Sequence, residues 1–182
     1  VNNAAQLTEQ PAAAGFWKQP FSVWDDQYAV GLRGAYVASA LAARLMVEQG
    51  SGLIINLSDD TDAVDGVFQA NIAYSVCSAG LDQMAAGMAR ELAPHGVTAL
   101  SLLPGLVRTE WVEAARSRGQ LEISEQRFCS PRFVGRALAA LAMDPDIQEK
   151  NGGRFEIEML RKEYRFSELS ADAATTPAAQ PR

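Results

Sequence analysis

The sequence predicts an α/β fold in which parallel strands are covered by helices on both faces. Three observations predict it. Short, almost uninterrupted apolar runs are bounded by Gly or Pro, as in strands buried on both sides. Long helical patterns separate those runs, and strand and helix alternate along the chain, which favours right-handed crossovers.

The elements follow in order. Residues 4–20 read as a loop that ends near Phe16-Trp17. Ser22 is read as the N-cap of a helix reaching about Val47, with Trp24, Val30, Ala38, Leu41 and Leu45 among its apolar positions. Gly31 and Gly34 each cost roughly 1 kcal/mol against Ala in a helix interior, so close packing, or the close approach of a ligand or sheet, is expected there. Gly52–Leu57 reads as the first strand. A second helix spans about Ala73 to Leu92, and Pro94 and Gly96 end it before the strand Val97–Leu103. A third helix covers about Pro131 to Met143 and stops at Pro145. The stretch Gly153–Met159 alternates more and is charged, which suits an edge strand.

The length of 182 residues suits one domain with a real core. A net charge of -6, with Lys and Arg scattered singly or in pairs, argues against a binder of phosphate backbones. No uninterrupted apolar run approaches the roughly 18 residues of a membrane span, and the first residues carry no secretory pattern. Two cysteines, Cys77 and Cys129, make no disulfide framework, so a reduced, cytoplasmic setting is expected. No Cys/His spacing suits zinc, and no metal site is expected. The acidic run Asp59-Asp60-Thr61-Asp62 with Asp65 lacks the glycine and terminal Glu of a calcium loop, so it reads as solvated. His95, in a helix-to-strand turn, has no hydrolase motif around it. Cys77 lies in a helix with no basic neighbour to activate it.

Four segments in order carry a resemblance. They are Val1-Asn2-Asn3-Ala4-Ala5, Asn56-Leu57-Ser58, Tyr74-Ser75-Val76-Cys77-Ser78 and Pro104-Gly105-Leu106-Val107-Arg108-Thr109. Together they resemble the Asn-Asn-Ala-Gly, serine, Tyr-x-x-x-Lys and Pro-Gly-x-x-x-Thr segments of the short-chain dehydrogenase/reductase family. Phe16-Trp17, Trp24-Asp25-Asp26, Val30-Gly31-Leu32-Arg33-Gly34 and Ala43-Arg44-Leu45-Met46 are similar to one subgroup, the dehydrogenase/reductase SDR family member 1 type.

The resemblance implies a Rossmann-like, doubly wound parallel sheet of which this chain supplies the C-terminal portion, strands 4–7 with their helices. It places a partial domain at residues 1–165 and leaves 166–182 as an expected disordered tail. It implies NAD or NADP as cofactor, with Asn2, Asn3, Pro104, Gly105, Val107 and Thr109 on the cofactor side, and a small carbonyl or alcohol as substrate. It assigns catalysis to Tyr74 and Ser58. It also implies a homo-oligomer through helices 22–47 and 74–92, where Ala38, Ala42, Ala85 and Ala89 allow close helix contact.

Departures from the family pattern are as informative. No glycine-rich turn of the kind that holds a pyrophosphate occurs in the sequence, so the chain is expected to lack the N-terminal cofactor-binding part. Ser78 stands at the lysine position. A phenol needs help to act as a base near neutral pH, and losing such help costs on the order of 10² to 10⁴ in rate. Ser58 precedes Tyr74 by sixteen residues and Thr61 by thirteen, with Asp59 and Asp60 between them. A carboxylate there would oppose the negative charge that develops on a reacting carbonyl oxygen. The family's asparagine is replaced by Ala29 or Gly31, according to register. The loop from Trp111 to Phe128, with Leu121 between them, would lie over a substrate or pack as a lid. Three readings stay open: a weakened oxidoreductase, a fold-retaining binding or dimerisation module, and a fragment without function of its own.

Overall fold

The computed structural model of the chain describes residues 1–6, 15–59, 72–119 and 128–168. Three parallel strands, β1 (Gly52–Leu57), β2 (Val97–Leu103) and β3 (Arg154–Glu156), form one sheet in the order β1-β2-β3. Ile55 lies opposite Leu100, and Leu102 opposite Phe155. The fourth strand position expected from the sequence is a single parallel bridge between Asn2 and Asn56. The Asn2 N–H donates to the Ile55 carbonyl at 2.8 Å, and the Leu57 N–H donates to Asn2 at 2.9 Å.

Successive strand residues point to opposite faces, and each face has its own helices. Ile54, Val97 and Ala99 pack against Ala89 and Leu92 of α3 (Ile72–Leu92), with Ala43, Met46 and Val47 of α2 (Gly34–Gln49) beside them. On the other face Ile55, Leu100 and Leu102 meet Phe133, Val134, Ala137 and Leu141 of α5 (Pro131–Met143) and Ile157 and Leu160 of α6 (Ile157–Tyr164). Every residue of β2 is buried, as a central strand requires. Truncating Leu100 or Leu102 to Ala would cost about 2–5 kcal/mol.

The long helix departs from expectation at its start. Ser22 is its first residue rather than its cap, because Phe21 already holds a helical conformation and no side chain caps the end. α1 (Ser22–Asp26) runs into a π-helical turn over Gln27–Arg33 and then into α2. Of the apolar positions singled out from its sequence, Trp24, Val30, Leu41 and Leu45 are exposed. The buried residues are Val23, Gln27, Gly31, Ala35 and Ser39, a stripe spaced by four. That stripe is small because the helix crosses α3 closely: a Cβ on Gly31 would lie 4.0 Å from the Cys77 Cβ, and one on Gly80 would meet the Leu32 methyls at 3.0 Å. Close helix contact therefore bears on Gly80, whereas a Cβ on Gly31 would meet Cys77 at an ordinary contact distance. The helix Ser22–Gln49 is also long and apolar enough to cross a bilayer by length and composition, although no uninterrupted run is. Arg33 and Arg44 lie exposed within it.

Gly50 and Gly96 end their helices in left-handed conformations. A Cβ on Gly96 would stand 2.4 Å from the Gly50 carbonyl oxygen, so the two turns stack only because residue 96 has no side chain. The last strand is shorter than the stretch 153–159 read from the sequence. Ile157, Glu158 and Met159 begin α6, since Ile157 and Leu160, three apart, both enter the α5 cluster. The ordered fold also passes residue 165, where the domain was expected to end. The Phe166 ring lies 5.0 Å from that of Phe133, and the Glu168 carboxylate accepts from the Ser130 N–H at 2.6 Å and its hydroxyl at 2.7 Å. Residues 171–182, the part of the expected tail without a core-forming pattern, lie outside the described residues.

Candidate functional site

In open parallel sheets, ligands collect at the carboxyl ends of the strands. Here that edge is made by the end of β1, the start of α3 and the turn after β2.

Asn2 and Asn56 build the floor. The Asn2 side-chain amide donates to the Ser39 hydroxyl at 2.8 Å and to Asn56 Oδ1 at 2.7 Å, and Asn56 Nδ2 donates to the Leu81 carbonyl at 3.0 Å. The Asn2 side chain is therefore a tie between strand end, α2 and β1. Asn3, next to it, is exposed.

Ser58 follows β1 and is buried. Its hydroxyl donates to Asp82 Oδ1 on α3 at 2.5 Å, and Arg154 Nε on β3 donates to Asp82 Oδ2 at 2.8 Å. Tyr74, on the first turn of α3, instead donates its phenol to Asp59 Oδ2 at 3.1 Å. The fold thus brings together Tyr74 and Asp59, the neighbour of Ser58, while Ser58 is engaged by α3. Thr61, the other hydroxyl considered, lies outside the described residues, as do Asp60, Asp62 and Asp65.

Electrostatics follow the geometry. Burial pushes the Tyr74 phenol well above its ordinary value, and the Asp59 charge and hydrogen bond push it further; a hydrogen bond with Ser78 acts weakly the other way. Ser78 is buried on α3, one turn from Tyr74. Tyr74 is consequently a neutral hydrogen-bond donor across the neutral range. Ala29 and Gly31, the two registers for the asparagine, fall within the π-helical turn. π-bulges recur at functional sites, but neither residue has a polar side chain.

The turn after β2 is open toward solvent. Gly105 has φ +67, and among the described residues nothing lies within 4 Å of where its Cβ would be. Segment 128–130 staples the turn from behind: the Cys129 N–H donates to Leu106 at 2.9 Å, the Arg108 N–H to Cys129 at 2.8 Å, and the Cys129 thiol to the Pro104 carbonyl at 3.6 Å. Among the described residues the Val107 N–H has no backbone partner. Thr109 caps α4 (Glu110–Ser117), its hydroxyl oxygen accepting from the Val112 N–H at 3.3 Å, which leaves its own proton to donate. Trp111, Val112, Leu106 and Phe128 form a small apolar cluster behind the turn; Leu121 lies outside the described residues. Arg108 is exposed and 3.6 Å from Glu113, and His95 is exposed.

Among the described residues, these donors suit the amide end of a nicotinamide cofactor: the Val107 N–H without a backbone partner, a hydroxyl proton at Thr109 and space above Gly105. They do not suit its pyrophosphate, since the sequence has no glycine-rich turn.

The sequence reading passed over Asp82 and Arg154. A signal existed for the first. Asp82 stands four residues after Ser78 and one after buried Leu81 in an Ala-rich helix, and a carboxylate beside a buried stripe needs a partner.

A half-wound parallel sheet with a tyrosine at the start of the helix after its first strand, and a Pro-Gly turn after its central strand, is an α/β arrangement of the Rossmann type. The comparisons agree. A family model described as short chain dehydrogenase matches residues 1–120, and the chain belongs to the short-chain dehydrogenase/reductase family. Dehydrogenase/reductase SDR family member 1 of Mus musculus is 38% identical over 164 residues, which cover 84% of this chain and 51% of that protein. Among solved structures, acetoin dehydrogenase from Enterobacter cloacae is 28% identical with a TM-score of 0.67, covering 85% of this chain and 59% of that one. The fold is also that of ElxO with NADP bound, at 20% identity and a TM-score of 0.73, over 86% of this chain and 63% of that one. The chain spans about half the length of the curated relatives it matches.

Proposed function

We propose that the chain carries the substrate-side part of an NAD(P)-dependent carbonyl or alcohol oxidoreductase and that residues 1–182 by themselves are a weak or inactive catalyst. The observation that carries this reading is the half-buried Tyr74 phenol at the carboxyl edge of the sheet, with the open Pro104–Thr109 turn after the neighbouring strand. NAD or NADP, when bound, supplies or takes a hydride. Val107 and Thr109 would hold the amide end of the cofactor, and Tyr74 would hold a proton near a substrate oxygen. Weakness follows from Ser78 at the lysine position and from Tyr74 being kept neutral rather than made ionisable. The acidic net charge supports a small-molecule partner rather than nucleic acid, and two free cysteines suit a reducing compartment such as the cytoplasm.

A tryptophan-to-NADPH energy-transfer titration of the purified chain tests this, repeated with NADH and with Ser78→Lys, alone and paired with Asp59→Ser. Weak binding by the unaltered chain is the expected result, with Ser78→Lys strengthening it once Asp59→Ser accompanies it. Tight, micromolar saturation by the unaltered chain would contradict the weak-catalyst reading, and no binding by any variant would favour the second reading.

That second reading is an assembly module, and one observation favours it. Leu41 and Leu45, one turn apart on the same side of the long helix, are both exposed, an apolar face of the kind that marks an interface. A second copy fits this face better than a bilayer, given exposed Arg33 and Arg44. Light scattering at tens of micromolar decides it: a strict monomer counts against assembly.

A further inference from the structure

Asp59 stands where its carboxylate changes what Tyr74 can do. It follows Ser58 at the end of β1, and its Oδ2 lies 3.1 Å from the Tyr74 hydroxyl. The Ser58 hydroxyl is turned to Asp82 instead. Two hydroxyls nominated for chemistry are each held as donors by a carboxylate.

We infer that Asp59 is a positioning residue that locks Tyr74 as a neutral donor, so that the Asp59 carboxylate, and not the loss of the lysine alone, keeps the phenol from working as a base. A serine or threonine beside Tyr74 could donate to a phenolate; a carboxylate can only accept, and it repels the phenolate. The groups known to face the hydroxyl are Asp59 from the end of β1 and Ser78 from α3. Because both reach the same hydroxyl, an ammonium introduced at residue 78 would find Asp59 first and form an ion pair with it. Restoring the lysine alone therefore fails to free Tyr74, and the two changes have to be made together.

The inference rests on reading Tyr74 as the acid/base position, but its test reads the phenol directly. The chain has four tyrosines, so ring-labelled tyrosine NMR with Tyr74 assigned by Tyr74→Phe follows its ionisation. Wild type is expected to keep Tyr74 protonated throughout the alkaline range in which the chain stays folded. Asp59→Asn lowers the midpoint by about one pH unit or more. Ser78→Lys alone lowers it less than the pair Asp59→Ser with Ser78→Lys. An unchanged midpoint in Asp59→Asn, or a fall in Ser78→Lys as large as in the pair, overturns the lock. Should Asp59→Asn not fold, the tyrosine Raman doublet of wild type minus Tyr74→Phe decides: a donor signature sustains the lock and an acceptor signature ends it. A low midpoint in the paired variant without cofactor-dependent turnover would count against the oxidoreductase reading and leave the lock standing.

Discussion

The Ser58 hydroxyl donates to the Asp82 carboxylate at 2.5 Å, across 24 residues of sequence, and the second oxygen of that carboxylate accepts from Arg154. This chain of three groups joins the end of β1 to α3 and to the edge strand. It also settles where Ser58 points.

Asp82→Ala is expected to destabilise the chain by about 1–3 kcal/mol, because it leaves a buried hydroxyl without its acceptor. Arg154 adds little by itself, since its side chain is 44% exposed and the pair is screened by water. In urea unfolding, Ser58→Ala should cost clearly less in the Asp82→Ala background than alone. Additive costs would mean that the two groups do not depend on each other.

Cys129 should behave as an inert thiol near neutral pH. Burial first, and then the Glu168 charge, push it up to about 11 from 9.0. Between those values the folded state keeps a proton that the unfolded chain has released, so stability falls as pH rises through that window. Alkylation of the folded chain should stay slow until the pH nears the upper value, and Glu168→Gln should bring the onset lower. Labelling at neutral pH as fast as an exposed thiol would refute the assignment.

Phe166→Ala should cost about 1–2 kcal/mol in thermal or chemical unfolding, because its ring covers Phe133 and the α5 cluster. A change within the noise would return the domain boundary to residue 165.

Leu41→Glu with Leu45→Glu should leave the unfolding midpoint nearly unchanged, since these side chains are 57% and 62% exposed. If the helix face joins two copies, the same pair lowers the mass seen by light scattering to that of one chain. Loss of stability in the variant at concentrations where wild type is monomeric would show that the face is packed internally instead.

Much of the fold was legible in the sequence because its signals are local. Val97–Leu103 is apolar but for Thr98 and Ser101 and is bounded by Gly96 and Pro104, and it is the fully buried central strand. Ser130-Pro131 marks the start of α5, where the Ser130 hydroxyl accepts from the Phe133 N–H at 3.1 Å. The order of the family segments was legible too, and so was the turn from Pro104 to Thr109, since Pro and Gly restrict or permit backbone angles wherever they stand.

The rest waited for the tertiary structure, and the reason differs by element. The long helix is apolar on more than one side, so its period could not choose a face; contact with α3 chose the small stripe Val23, Gln27, Gly31, Ala35 and Ser39, and left Leu41 and Leu45 outside. The stretch 153–159 fits a strand or the start of a helix equally well, and packing against α5 made its last three residues helix. Hydroxyl partners were the least legible. Whether Ser58 or Asp59 meets Tyr74 depends on an acceptor 24 residues away on α3, and no local pattern records it. By itself the sequence determined the class of fold, the two inner strands β1 and β2, and the family, because these rest on neighbours along the chain. Only the tertiary structure decided which groups face one another at the site, because hydrogen-bond partners are chosen in space.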